Sequence, residues 1–274
     1  MSSTVTRFAL AVAIGAMVVP ASRLSSQESQ TDVQALVAAA RQALGGEANL
    51  ANIKSFTIEA RTRSLRYATA STHWTAFKIA AEFPDKFVRA TDGGYGGPRV
   101  PLSQSPDSAG GYLTSSGAGS MALGFNGDHV IADGVYSSDD YRNLDGTWRP
   151  FVYPQSELDE KYLERARIGA LPWMLGMFAE PMPGVPVQLE ASTSADAATT
   201  VIVTGGGLQR PRTLAFDPVS HLPASLDGMT FEDYRQVGPV IVPFRMKTNL
   251  VEEDVTSIHL NVKIDAKRFR PSGR

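Results

Sequence analysis

Apolar residues recur along this chain with two different periods, and the points where the period changes mark out its elements. In the stretch TDVQALVAAARQALGG, Val33, Leu36, Val37, Ala40 and Leu44 fall at helical spacing. Thr31 or Asp32 can serve as an N-cap and Gly45-Gly46 as a stop, so the pattern predicts an amphipathic helix. From Ile53 the period becomes two. Phe56, Ile58 and Ala60 take one face against Thr57, Glu59, Arg61 and Arg63, and Phe77, Ile79 and Ala81 form a second run. A short third strand, 87–91, follows the Pro84-Asp85 turn. These read as half-buried antiparallel strands.

Residues 93–119 break the pattern. They are rich in Gly, Ser and Pro and read as an insertion or long surface loop. Strand character returns at 121–132 and 146–151, with Asn126-Gly127-Asp128 as a tight-turn signal. Residues 157–178 predict a second helical region, in which Pro172 is expected to kink or restart the helix.

Period two then holds to the C-terminal end. Val240, Val242, Phe244, Met246 and Thr248 alternate with Ile241, Pro243, Arg245, Lys247 and Asn249, and Ile258, Leu260, Val262 and Ile264 alternate with Ser257, His259, Asn261 and Lys263. Glu252-Glu253-Asp254, between these two runs, reads as an acidic hairpin turn. Ten or eleven strands with short turns and no βαβ alternation predict an α+β, mainly β fold. That fold is a curled antiparallel sheet, an incomplete β-barrel, wrapped over two or three helices.

The first 21 residues change the compartment. Arg7, an apolar run over 8–19, then Pro20 and Ala21 give the order of a secretory signal cleaved after Ala21. The run is shorter than the roughly 20 residues a spanning helix needs. Residues 22–30 are polar and expected to be a disordered linker before the domain at 31–270. The chain has no cysteine, which excludes disulfides, thiol catalysis and a lipidated N-terminal Cys. The expected product is therefore exported across the inner membrane to the periplasm, with no stable membrane anchor. A net charge of −2 leaves no electrostatic footprint for nucleic acid.

The order of helix, Gly-Gly, a strand over 53–66, EFPDKFVRA at 82–90, GFNGDHV at 124–130, LAFDPVSHLPASL at 214–226 and FEDYRQVGPVIVPFRM at 231–246 resembles the periplasmic outer-membrane lipoprotein carrier superfamily, the LolA/LolB-like proteins. Asp217, Leu222-Pro223, Phe231, Asp233, Tyr234, Arg235, Gly238 and Pro243 carry that likeness. It implies an incomplete antiparallel barrel around a helix-lined apolar cavity that takes acyl chains or another greasy ligand. The 93–119 insertion and the missing cysteine depart from the pattern.

Candidate ligand-binding residues fall in two groups. Trp173, Met174, Met177 and Phe178, with Pro172, Gly176 and Met182 nearby, concentrate soft and aromatic groups where a helix is expected to break. They suit either a ligand lining with a hinged lid or ordinary core packing. Arg61 and Arg63 could hold a headgroup, or they could sit on a wet strand face in weak ion pairs. His73, His129, His221 and His259 are scattered without metal-ligand spacing, so no metal and no cofactor are expected. With no G-x-S-x-G elbow the chain reads as non-enzymatic. The expected partner is a hydrophobic small molecule or lipid. A scaffold that binds another envelope protein, or an accessory domain with weak hydrolase activity, are the alternatives.

Overall fold

The computed structural model describes residues 21–65, 74–91, 121–133, 141–142, 148–149, 155–182, 185, 187–192, 199–205, 208 and 210–270. Residues 1–20 of the signal segment, His73 and the 93–119 insertion lie outside the described residues. Helix α1 (Ala21–Ala43) is followed by the short α2 (Glu47–Ala51) and strands β1 (Ser55–Ser64), β2 (Thr75–Glu82), β3 (Lys86–Thr91), β4 (Met121–Asn126) and β5 (His129–Asp133). A two-stranded pair, β6 (Tyr141–Arg142) and β7 (Trp148–Arg149), precedes helix α3 (Gln155–Phe178). Among the described residues seven further strands follow: β8 (Val187–Ala191), β9 (Thr200–Gly205), β10 (Arg212–Phe216), β11 (Pro223–Leu226), β12 (Met229–Val237), β13 (Val240–Lys247) and β14 (Val251–Leu260).

Twelve strands form one antiparallel sheet in the order β5-β4-β3-β2-β1-β14-β13-β12-β11-β10-β9-β8. Every neighbour is also a neighbour in sequence except one pair, β1 with β14. The sheet is thus two meanders joined along a central seam, and β5 and β8 are its ends, so it does not close into a barrel.

Period-two alternation decides its two faces. Phe56 and Ile58 on β1, Phe77, Ile79 and Ala81 on β2, Phe87 on β3, Val240, Val242 and Met246 on β13, and Val255 and Ile258 on β14 join α1 and α3 in the main core on the inner face. The opposite, outer face has a small core of its own. Ala80, Val88 and Ile131 meet Ile264 and Phe269 there, residues of the C-terminal segment that crosses behind the sheet.

Four expectations are corrected by this arrangement. Helix α1 begins at Ala21, ahead of Thr31, because residues 21–30 contain no Gly or Pro to stop it. The linker expected at 22–30 is therefore helical. Helix α3 is continuous through Pro172, which removes one backbone hydrogen bond, so the helix does not restart there. The last strand spans Val251–Leu260 rather than 257–264, so Val262 and Ile264 pack on the outer face instead of continuing the inner one. The acidic triplet is consequently strand, and the turn is Thr248 to Leu250, where Thr248 Oγ1 accepts from the backbone N–H groups of Leu250 and Val251 at 3.0 and 2.9 Å.

Close backbone approach is enforced at Gly124 on β4. A Cβ there would collide with the Phe87 carbonyl oxygen and stand 2.6 Å from Val88 Cα. Because both obstacles are backbone, no side-chain rotation relieves them. Gly124→Ala is expected to lower unfolding free energy by about 1–3 kcal/mol, the usual cost of overpacking. Urea unfolding followed by circular dichroism would check this.

Candidate functional site

Helix α3 crosses the inner face, and its second half supplies the candidate lining. Trp173, Met174 and Met177 are each 1 % exposed and Phe178 is 5 % exposed. The Trp173 ring meets Phe77 edge-on at 6.0 Å, and Phe178 contacts Phe56 and Phe83 with centroids 5.9 and 5.4 Å apart. Edge and tilted geometries of this kind are the favourable ones for aromatic pairs. All four residues are placed in the core beneath the inner face, together with Met182 and Met246.

The glycine of this run is a contact rather than a free hinge. A Cβ on Gly176 would touch the Phe231 ring at 3.0 Å, so its lack of a side chain lets α3 settle on β12. The hydroxyl of the partly buried Tyr234 donates to the Pro223 carbonyl at 2.7 Å and lies 3.4 Å from the Gly176 carbonyl. Burial pushes this phenol well above the ordinary tyrosine range, so it stays a donor.

The end of α3 is fastened from outside. Ala179 turns into the left-handed region at φ 51° and donates its N–H to the Leu175 carbonyl, an αL cap built without glycine. No basic residue lies in the last turn of α3, and Arg41 of α1 takes that role by donating to the Phe178 carbonyl at 3.0 Å. The same guanidinium donates to both oxygens of Glu47, at 2.6 and 2.8 Å, and pairs with Glu180. The hydrogen bond from Arg41 holds the Glu47 carboxyl below the usual range. One side chain thereby ties together α1, α2 and the end of α3.

Arg61 and Arg63 lie on the outer face of β1, away from the α3 run, so the two predicted groups do not share a site. Arg61 donates to Asp254 at 3.0 Å and Arg63 to Glu252 at 2.8 Å, each across the β1–β14 seam. Both guanidinium groups also stand over the Trp74 ring, at 4.4 and 4.7 Å. Arg245 donates to Asp254 from the other flank at 3.1 Å. Burial works against ionisation of Asp254, but the hydrogen bonds from Arg61 and Arg245 outweigh it and hold the carboxyl below its ordinary value.

Sequence reasoning passed over Arg89. It follows Phe87 on the inner face, its guanidinium stands 3.9 Å over the Phe77 ring, and it donates to Glu253 at 2.7 Å. The signal available was its place two residues after Phe87 in a period-two strand. Among the described residues no group of three or more His, Asp or Glu is arranged to hold a metal ion. No described helix is long and apolar enough to cross a membrane.

No protein-family model matches the chain, and no curated protein matches it. Among solved structures, a DUF1329 family protein from Desulfovibrio piger aligns over 87 % of this chain and 97 % of its own at 8 % identity, with a TM-score of 0.42. A LolA superfamily protein from Nitrosomonas europaea aligns over 87 % and 97 % at 10 % identity and a TM-score of 0.39. An outer membrane lipoprotein-sorting protein domain from Vibrio parahaemolyticus covers 89 % of this chain and 97 % of its own, with 10 % identity and a TM-score of 0.38.

The outer-face network makes a pH prediction. Asp254 has a folded pKa below its ordinary 3.8, so its ionised form stabilises the fold above about that pH and the contribution is lost as pH falls through the folded value. Asp254→Asn is expected to lower the urea midpoint at neutral pH, and the gap from the unsubstituted protein should close as the solution is acidified below pH 3.8. A gap that stays constant with pH would sink the assignment.

Proposed function

We propose that this chain is an exported, periplasmic, non-enzymatic binding protein that holds a lipid or another hydrophobic ligand between the inner face of the sheet and helix α3. The observation that carries the reading is the composition of the inner layer. A helix bearing Trp173, Met174, Met177 and Phe178 lies over an apolar sheet face to which β13 adds Met246. Thioether side chains are unbranched and polarisable, so such a layer can repack around an acyl chain. Each methylene taken from water would contribute about 0.8 kcal/mol. Export rests on the signal-like order of residues 1–21.

A second reading is favoured by one observation, the near-complete burial of the same four side chains. In it the layer is simply a filled core, and the protein acts as an interaction module for another envelope protein. The two differ in what copurifies. Native mass spectrometry of the exported chain, with solvent extraction of the sample, is expected to show a discrete added mass that extraction identifies as a lipid. A bare-chain mass, with no rise in melting temperature on adding phospholipid or fatty acid, would overturn the binding reading in favour of the filled core.

A further inference from the structure

The inner face is not apolar along its whole length. Toward the end of the strands where β1 finishes and β14 begins, the apolar positions Ile58, Ala60, Phe77 and Val255 give way to Thr62, Thr75 and Glu253, which are 2 %, 9 % and 7 % exposed. Register places them side by side, Thr62 opposite both Thr75 and Glu253, and Glu253 opposite the core residue Met246. Arg89 completes the patch, resting on Phe77 with its side chain 30 % exposed while that of Glu253 is 9 % exposed. Phe77, which meets Trp173 edge-on, thus lies beneath the guanidinium of the ion pair.

A buried carboxylate on a core-facing strand position is costly unless matched, and a filled apolar core would be served as well by hydrophobic residues of similar volume. Along the strand direction the arrangement runs from apolar to polar within a few residues, which is the profile of an amphiphile. The ion pair is electrically neutral, with a donor fork on one member and an acceptor on the other. A purely anionic headgroup would meet Arg89 but would bring a second negative charge against Glu253. A zwitterion satisfies both members.

Resting on the binding reading above, we propose that Arg89 and Glu253 form the headgroup subsite and select zwitterionic phospholipids of the phosphoethanolamine type. The phosphate accepts from Arg89 and the ammonium donates to Glu253, while Thr62 and Thr75 line the polar margin.

The test is a competition. The exported protein is incubated with vesicles containing equal amounts of phosphatidylethanolamine and phosphatidylglycerol with identical acyl chains, reisolated, and its bound lipid quantified by mass spectrometry. Phosphatidylethanolamine is expected to be retained about tenfold over phosphatidylglycerol, the factor one charged hydrogen bond supplies. Glu253→Gln, which keeps the shape and an acceptor but removes the negative charge, should shift the ratio toward phosphatidylglycerol. The double variant Arg89→Met with Glu253→Leu, which leaves no unpaired buried charge, should take both lipids alike. An unchanged ratio in Glu253→Gln would overturn the headgroup assignment alone. Failure of the unsubstituted protein to retain either lipid would overturn the binding reading, and this assignment with it.

Discussion

The pairing of β1 with β14 holds the molecule together. Every other connection in the large sheet joins strands adjacent in sequence, so without this seam the chain would be two separate meanders. It brings Phe56 opposite Leu260 and Ser64 opposite Val251, across a separation of roughly 200 residues whose closure entropy grows only with the logarithm of length. Backbone hydrogen bonds alone do not specify such a register. Charge placement does: Arg61 faces Asp254 and Arg63 faces Glu252 on the outer side, while Phe56 and Ile58 face Leu260 and Ile258 on the inner side. A slip by one residue would bury the arginines and expose the phenylalanine. The irregularity between Glu59 and Ala60 absorbs one extra residue, Thr256, whose hydroxyl donates to the Glu59 carbonyl at 2.8 Å.

The seam also links the architecture to the proposed chemistry. Strand alternation sends Glu252 and Asp254 outward to the arginines of β1 and β13 and sends Glu253 inward to Arg89. Three consecutive acidic residues therefore serve two faces. The outer pairs are partly solvated and help fix register more than they add stability. The inner pair is as exposed as Arg63 with Glu252, but it faces the apolar layer under α3 instead of the outer arginines, which is what places it beside the proposed ligand.

Helix α3 depends on the same seam for a surface to cover. Its course is fixed at one point by Gly176 against Phe231 and at its end by Arg41 on the Phe178 carbonyl. The seating of α1 is fixed in turn by the Leu44 carbonyl, which accepts from Ile241 N–H of β13 at 2.8 Å. Helices and sheet are thus fastened to one another through backbone groups, and the soft side chains of α3 fill the layer between.

Much of this was legible before any coordinates. The alternation of Phe56, Ile58 and Ala60, of Phe77, Ile79 and Ala81, and of Val240, Val242 and Met246 assigned those residues to one buried face, because period two permits nothing else in a half-buried strand. The Asn126-Gly127-Asp128 turn and the Met- and aromatic-rich stretch of α3 were equally local signals. What no local window could show was which strands meet. Glu252-Glu253-Asp254 looks like a solvated turn because like charges in sequence repel, and the arginines that neutralise them stand on β1, β3 and β13. Arg61 and Arg63 could be headgroup ligands or wet-face ion-pair partners, a choice that local sequence left open, and Arg89 gave no local sign that it would rest over Phe77 and donate to Glu253. Periodicity is a property of neighbours along the chain, so the sequence by itself determined most of the strands and their buried faces, though not the bounds of the last strand. Long-range pairing depends on where distant charges and backbone groups come to rest, and only the tertiary structure decided the seam, the unbroken course of α3 through Pro172 and the polar patch on the inner face.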